Sequence, residues 1–151
     1  MDTKFISPLR AVILEQLARV MTGTAGHYIR VDSLQLGRLT QLLDWIKQNL
    51  NQPMGNYALA ERLGVSESHF RRIFQETMHC TPHRFIMQLR LERVRQLLTS
   101  TTLSIPRIAS ECGFESQSHM TSMFRSTYGL PPARFRREAG LTRKLGPASS
   151  D

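Results

Sequence analysis

Residues 66–85 read SESHFRRIFQETMHCTPHRF, and residues 116–135 read SQSHMTSMFRSTYGLPPARF. Laid over one another, the two stretches share eight residues in the same order, namely Ser, Ser, His, Phe, Thr, Pro, Arg and Phe. A Leu-Ala-x-x-x-Gly run at 59–64 precedes the first stretch, and an Ile-Ala-x-x-x-Gly run at 108–113 precedes the second. The chain therefore carries one structural unit twice, and this repeat decides the fold.

In both copies the pattern predicts a short helix, a turn that contains glycine, and a longer helix opened by a serine. In the first copy we expect Asn56 to cap a helix over 57–63. Gly64 then supplies the left-handed conformation of a helix exit, and Ser66 caps a helix that runs to about Met78. Two helices joined in this way form a helix-turn-helix.

The second copy follows the same plan. We expect Ser104 to cap its first helix, with Pro106 tolerated in the first turn and Gly113 at the exit. Ser116 then caps the longer helix over 117–128.

The longer helix of each unit has an apolar seam on one side and a polar face on the other. The small residues Ala60 and Ala109, one turn before the glycines, let the two helices of a unit approach closely. The seams consist of Phe70, Ile73, Phe74 and Thr77 in the first unit and of Met120, Met123, Phe124 and Thr127 in the second. With the seam turned inward, the polar face can enter a DNA groove.

The polar faces supply the candidate DNA-binding residues. Those of the first recognition helix are Ser66, Glu67, Ser68, Arg71, Arg72 and Gln75. Those of the second are Ser116, Gln117, Ser118, His119, Thr121, Ser122 and Arg125. Arginine bridges guanine O6 and N7, whereas the shorter side chains of the second helix predict fewer base hydrogen bonds and more readout of DNA shape. Phosphate contacts, or alternatively a solvated face, are expected at Arg134, Arg136 and Arg137.

The predicted fold is all-α, with two helix-turn-helix subdomains joined by a long central helix and an extra N-terminal amphipathic helix. The central helix, over about 83–99, spans about 25 Å, and side-chain packing adds the rest of the ~34 Å between successive major-groove faces. A shorter rigid separation would require bent DNA. Further amphipathic helices are predicted over Pro8–Met21 and about 36–50.

The expected division of the chain has three parts. An N-terminal helix and linker occupy 1–33, and a flexible C-terminal tail occupies 140–151. The DNA-binding domain between them, 34–139, contains the first unit at about 56–79, the linker helix at about 83–99 and the second unit at about 104–129.

The chain carries 20 Lys and Arg against 12 Asp and Glu, a formal net charge of +8. This excess of positive charge predicts an anionic partner. Two major-groove helices suit double-stranded DNA better than the deep, narrow groove of A-form RNA. Neither a signal peptide nor a transmembrane pattern occurs, so we expect a cytoplasmic, nucleoid-associated protein without a membrane partner.

The strings IASECGFESQSHMTSMFR at 108–125 and YGLPPARFR at 128–136 resemble the C-terminal DNA-binding domain of the AraC/XylS family of bacterial transcription regulators. The resemblance covers about 36–138. It implies seven helices, two subdomains joined by the long helix, and base contacts from both recognition helices.

Three residues depart from the family pattern. Met120 occupies a site that is usually aromatic, Ser122 one that is usually Arg or Lys, and His79 a helix exit that is usually glycine. Ser122 puts strong DNA contact by its helix in doubt. His79 implies strain or a different helix exit, because a side chain disfavours left-handed geometry.

The resemblance also bears on function. Family members commonly have an N-terminal sensor domain, and we expect none within these 151 residues, which would make the chain a naturally short regulator or a piece of a longer one. We expect a transcription activator that contacts RNA polymerase, binds an asymmetric site of about 20 bp and forms a homodimer through Pro8–Met21. The alternative is an antagonist that uses this helix and binds DNA only non-specifically.

An enzyme or metal protein is not expected, and neither is a cofactor. The chain shows no nucleophile-base-acid set and no glycine-rich phosphate loop. The residues that a zinc site would need lack the paired spacing of structural zinc sites; they are His69, His79, Cys80, His83, Cys112 and His119.

Overall fold

The computed structural model describes residues 33–145, and all regular structure in this range is helical. The seven helices are α1 (Ser33–Gln48), α2 (Asn56–Leu63), α3 (Glu67–Met78), α4 (Pro82–Ser100), α5 (Ile105–Glu111), α6 (Gln117–Tyr128) and α7 (Pro132–Leu145). The predicted all-α class with its repeated helix pairs and long central helix α4 is confirmed. The predicted Pro8–Met21 helix lies outside the described residues.

The described residues form two compact units. The first contains 33–44 and 55–84, and the second contains 45–54 and 85–145. In the first unit most of the predicted α3 seam is buried, but Thr77 is only half-buried and Met78 is buried in addition. The buried residues of α1, α2 and α3 are Leu39, Leu42, Leu43, Leu59, Ala60, Leu63, Phe70, Ile73, Phe74 and Met78. The rings of Phe70 and Phe74 meet edge to face, with centroids 5.6 Å apart.

The second unit has its own core. Helices α4, α5 and α6 and the turn between α5 and α6 contribute Met87, Leu91, Val94, Leu97, Leu98, Ile108, Ala109, Cys112, Phe114, Met120 and Phe124. The predicted seam of α6 ends differently from the expectation, because Thr127 is exposed whereas Tyr128 is half-buried. The rings of Phe124, Tyr128 and Phe135 then form a contiguous aromatic cluster.

The first helix of each unit ends in the same way, although the second turn has one more residue before its capping serine. Gly64 and Gly113 are left-handed, with φ of 77° and 78°. In each turn the residue after the glycine donates its N–H to the carbonyl of the buried alanine, from Val65 to Ala60 and from Phe114 to Ala109. This is the Schellman arrangement, which closes the helix and turns the chain into the next one. The predicted glycine exits are confirmed.

Serine caps begin three of the helices as predicted. The hydroxyl oxygens of Ser66, Ser104 and Ser116 accept the backbone N–H of the residue three positions on, at 3.3, 3.4 and 3.1 Å. The prediction that Asn56 caps α2 is wrong. The carbonyl of Gly55 accepts the first helical hydrogen bond, from the Leu59 N–H, so the helix already includes Asn56 and no side chain caps it.

Helix α3 ends at Met78 as predicted, whereas α7 extends beyond its expected end. His79 follows α3 in the left-handed conformation, with φ 55° and ψ 23°, so of the two predicted outcomes the strained exit is the one found. Helix α7 runs to Leu145, so the first residues of the predicted flexible tail are helical.

Candidate nucleic-acid interface

The outer face of α3 and its capping residue Ser66 carry the candidates predicted for the first recognition helix. All six of these side chains are exposed, namely Ser66, Glu67, Ser68, Arg71, Arg72 and Gln75. The opposite side of the helix is fully buried at Phe70 and Phe74. Core packing therefore fixes which face of α3 points outward.

One hydrogen bond orders this face. The Nη2 of Arg72 lies 3.0 Å from Nδ1 of His69, one helical turn earlier. His69 is half-buried, whereas Arg71 and Arg72 are exposed. The face thus presents two adjacent arginines, and the guanidinium of Arg72 is hydrogen-bonded to the ring of His69 in the first turn of the helix.

The outer face of α6 forms a surface depression. Most of the predicted candidates of the second helix line it, and the complete lining is Gln117, Ser118, Thr121, Ser122, Arg125, Ser126 and Gly129. Ser126 and Gly129 were missed in the sequence analysis. Ser126 follows Ser122 by four residues, so the spacing that selected the other candidates also points to it.

The remaining predicted residues of the second unit have other neighbours. Ser116 caps α6, and the ring of His119 lies edge-on to that of Phe114, with centroids 5.7 Å apart. Ser122, where the family usually has a cation, is exposed in the depression. Arg125 is therefore the basic side chain of the α6 face.

The three arginines predicted to meet phosphates are not equivalent. Arg137 is exposed. Arg134 is also exposed but is ion-paired with Glu138 at 2.8 Å. Arg136 is half-buried, and its Nε donates to the carbonyl of Leu98 at 3.3 Å in the last turn of α4. The guanidinium of Arg136 therefore stabilises the C-terminal end of α4, where a cation is favoured.

The end of α6 is attached to α4 through the half-buried carboxylate of Glu92. Glu92 accepts two hydrogen bonds from Arg95, at 2.9 and 2.7 Å, and one from the hydroxyl of Tyr128 at 3.3 Å. Burial alone would raise the pKa of Glu92, but the bonds from Arg95 and Tyr128 outweigh it and lower that pKa. Burial and the neighbouring Glu92 carboxylate raise the pKa of Tyr128 to about 12.

This arrangement predicts a pH-dependent contribution to stability. Because the folded-state pKa of Glu92 is depressed, its contribution is present above the unfolded pKa of about 4.3 and disappears as the pH falls through the folded value. Glu92→Gln should lower the free energy of unfolding at pH 7 by about 0.5–1 kcal/mol, since solvent partly screens the pair. In urea titrations the difference from the unsubstituted protein should shrink steadily as the pH is lowered below about 4.3. Glu111→Gln, in an exposed pair with Arg107, is the control, and an equal pH dependence in both variants would contradict the assignment.

A second attachment joins α4 to the 49–54 loop, which lies close to the turn before α6. Arg90 of α4 donates from Nε to the carbonyl of Leu50 and from Nη2 to that of Gln52, at 3.0 and 2.9 Å. The Leu50 carbonyl oxygen occupies the position that a Cβ on Gly113 would need. Gly113 thus serves both the left-handed turn and the close approach of the 49–54 loop.

Other kinds of site find no support among the described residues. Within 33–145, no three His, Cys, Asp or Glu side chains come together as metal ligands would. None of the described helices has the length and apolar character needed to span a bilayer.

Known proteins share this arrangement of two helix pairs. The family model described as a helix-turn-helix domain matches residues 59–138. The crystal structure of a transcriptional regulator with an AraC-type DNA-binding domain, from Chromobacterium violaceum, is 30% identical, with a TM-score of 0.64 over 72% of this chain and 96% of that one. The chain belongs to the AraC/XylS family. The predicted resemblance is thereby confirmed.

Two more proteins are similar to this AraC/XylS chain. The DNA-binding domain of AdpA, described as a global transcriptional factor in complex with a target DNA, is 26% identical, with a TM-score of 0.69 over 72% of this chain and 98% of that one. The HTH-type transcriptional regulator GbdR of Pseudomonas aeruginosa is 39% identical over 95 residues, 63% of this chain. The matched region spans 26% of the length of GbdR.

Proposed function

We propose that this AraC/XylS chain is a sequence-specific regulator of transcription that places α3 and α6 in neighbouring major grooves of an asymmetric site of about 20 bp. The observation that carries the proposal is the same two-sided construction in both units. Each longer helix is buried along its apolar seam and exposes a polar face that bears arginine. The AdpA domain, whose structure contains a target DNA, is similar in fold.

We assign different kinds of DNA recognition to the exposed faces of α3 and α6. On α3, Arg71 and Arg72 offer two cationic side chains that suit guanine or the adjacent phosphates. In the α6 depression one arginine, Arg125, lies among serine, threonine and glutamine side chains. We therefore assign most of the base hydrogen bonds to α3, and readout of groove shape to the shorter side chains of α6.

Alanine at Arg71 or Arg72 tests this assignment. Each substitution should weaken binding to the selected operator by about 1–3 kcal/mol, because a bidentate contact or a phosphate contact is lost. A variant that loses a base contact should also discriminate less at one base pair, whereas one that loses a phosphate contact should flatten the salt dependence of binding. Fluorescence anisotropy at several salt concentrations measures both effects.

The matched control removes an arginine whose charge is already balanced. Arg107→Ala takes one positive charge from α5, where Glu111 pairs with it at 2.9 Å. Its operator affinity should stay near that of the unsubstituted protein. Unchanged affinity in both the Arg71 and the Arg72 variant would refute the role of α3.

The regulatory role extends this proposal. We propose that the chain activates transcription initiation through contact with RNA polymerase, works at the nucleoid in the cytoplasm and dimerises through Pro8–Met21; the family resemblance and the amphipathic pattern of that segment support these assignments. Transcription in vitro from a promoter that carries the selected operator tests the sign. More transcript on addition of the protein supports activation, and less transcript contradicts it.

A further inference from the structure

The histidine of the repeated Ser-x-Ser-His run has a different partner in each unit. In the first unit, Nδ1 of His69 lies 3.0 Å from Nη2 of Arg72. A guanidinium has only donors, so Nδ1 must accept this hydrogen bond and the neutral ring carries its proton on Nε2. In the second unit His119 lies edge-on to Phe114, and the residue three positions on is Ser122.

His69 can hold the side chain of Arg72 in one orientation, because His69 is the more restrained of the two residues. The backbone N–H of His69 donates to the capping oxygen of Ser66 at 3.3 Å, which fixes the first turn of α3. His69 is half-buried, whereas Arg72 is exposed and carries a long side chain with much rotamer freedom. A hydrogen bond between the two restricts the more mobile partner.

We propose that His69 is a positioning residue for Arg72 and thereby sets the base specificity of the first recognition helix. The hydrogen bond uses one N–H of the guanidinium and leaves the others available for a guanine edge. Pre-orientation lowers the entropic cost of forming that contact. This inference rests on the proposed function, because it requires that Arg72 contacts the operator.

A double-mutant cycle on the selected operator tests it. Arg72→Ala should weaken binding about 5- to 150-fold. His69→Leu removes the acceptor and should weaken binding about two- to tenfold, the worth of one hydrogen bond. In the Arg72→Ala background, His69→Leu should have no further effect. His69→Asn keeps an acceptor at the δ position and should restore most of the affinity.

A base-pair scan supplies a readout that a merely structural role would not change. His69→Leu should lower discrimination at the same base pair as Arg72→Ala, with an unchanged thermal midpoint. The matched pair is His119→Leu with Ser122→Ala, whose effects should simply add.

The outcomes separate this inference from the proposed function. Equal losses for His69→Leu with and without Arg72 would show that His69 acts on DNA by itself and would overturn the inference alone. If Arg72→Ala leaves binding unchanged, or if no operator can be selected, the proposed role of Arg72 and the inference fall together. Coupling confined to the 69–72 pair supports both.

Discussion

Replacing Phe124 with alanine is expected to lower the free energy of unfolding by about 3–5 kcal/mol, the usual loss for a fully buried phenylalanine. Phe124 lies on the inner side of α6 with no exposed surface. Its ring meets that of Phe135 edge to face, with centroids 5.3 Å apart, and lies 4.5 Å from that of Tyr128. The truncation would leave a cavity beneath the second recognition helix.

Urea denaturation followed by far-ultraviolet circular dichroism measures this loss. Phe124→Leu is the matched variant, because it keeps more of the buried volume and should lose clearly less stability. The alanine variant should also bind the operator more weakly, since α6 is no longer held in place. A loss below about 1 kcal/mol for Phe124→Ala would show that this core is not closely packed.

Alanine at Gly113 is expected to cost about 2–5 kcal/mol, the sum of a left-handed residue and an overpacked contact. Gly113 has φ of 78°. An added Cβ would overlap the backbone carbonyl oxygen of Leu50 and come within 3.0 Å of the Arg90 guanidinium. The guanidinium can move, but the carbonyl belongs to a loop that Arg90 itself fixes.

Gly129→Ala separates the two contributions. Gly129 has a similar φ of 80°, but nothing lies within 4 Å of an added Cβ. This variant should therefore lose only the left-handed cost of about 1–2 kcal/mol. Thermal unfolding of both variants compares them directly, and equal losses would contradict the close approach of Leu50.

The repeat was the strongest guide to the fold. Two copies of the same spacing located the glycine turns, the serine caps and the inward seams, because each of these depends on residues close together in the chain. Such local rules also selected the exposed face of α3. They gave the class, the order of the helices and most of the candidate interface.

The errors arose where partners are distant in sequence or where local signals compete. Gly55 and Asn56 both suit an N-cap, and the backbone begins the helix one residue earlier than the side chain suggested. For Arg136 the sequence predicted a phosphate contact or a solvated face, and it did not reveal the bond to the carbonyl of Leu98, 38 positions away. No spacing rule connects these two residues.

The difference between the two histidines has the same origin. The Ser-x-Ser-His run is identical in both units, and the partners differ because Arg72 stands where the second copy has Ser122. The second copy also has Phe114 beside its histidine, whereas the first has Val65 at the matching position of the turn. Sequence alone did not show which contact each ring would make.

Selection from a randomised duplex pool with the full chain, repeated at two salt concentrations, tests the central claim most directly. If α3 and α6 read neighbouring major grooves, one asymmetric motif should emerge, with two elements about 10 bp apart and stronger base preference in one of them. Raising the salt should weaken all binding but leave the motif unchanged. Salt-sensitive binding without any enriched sequence would mean that charge alone holds the DNA, and it would contradict the assignment of the two helices as readers.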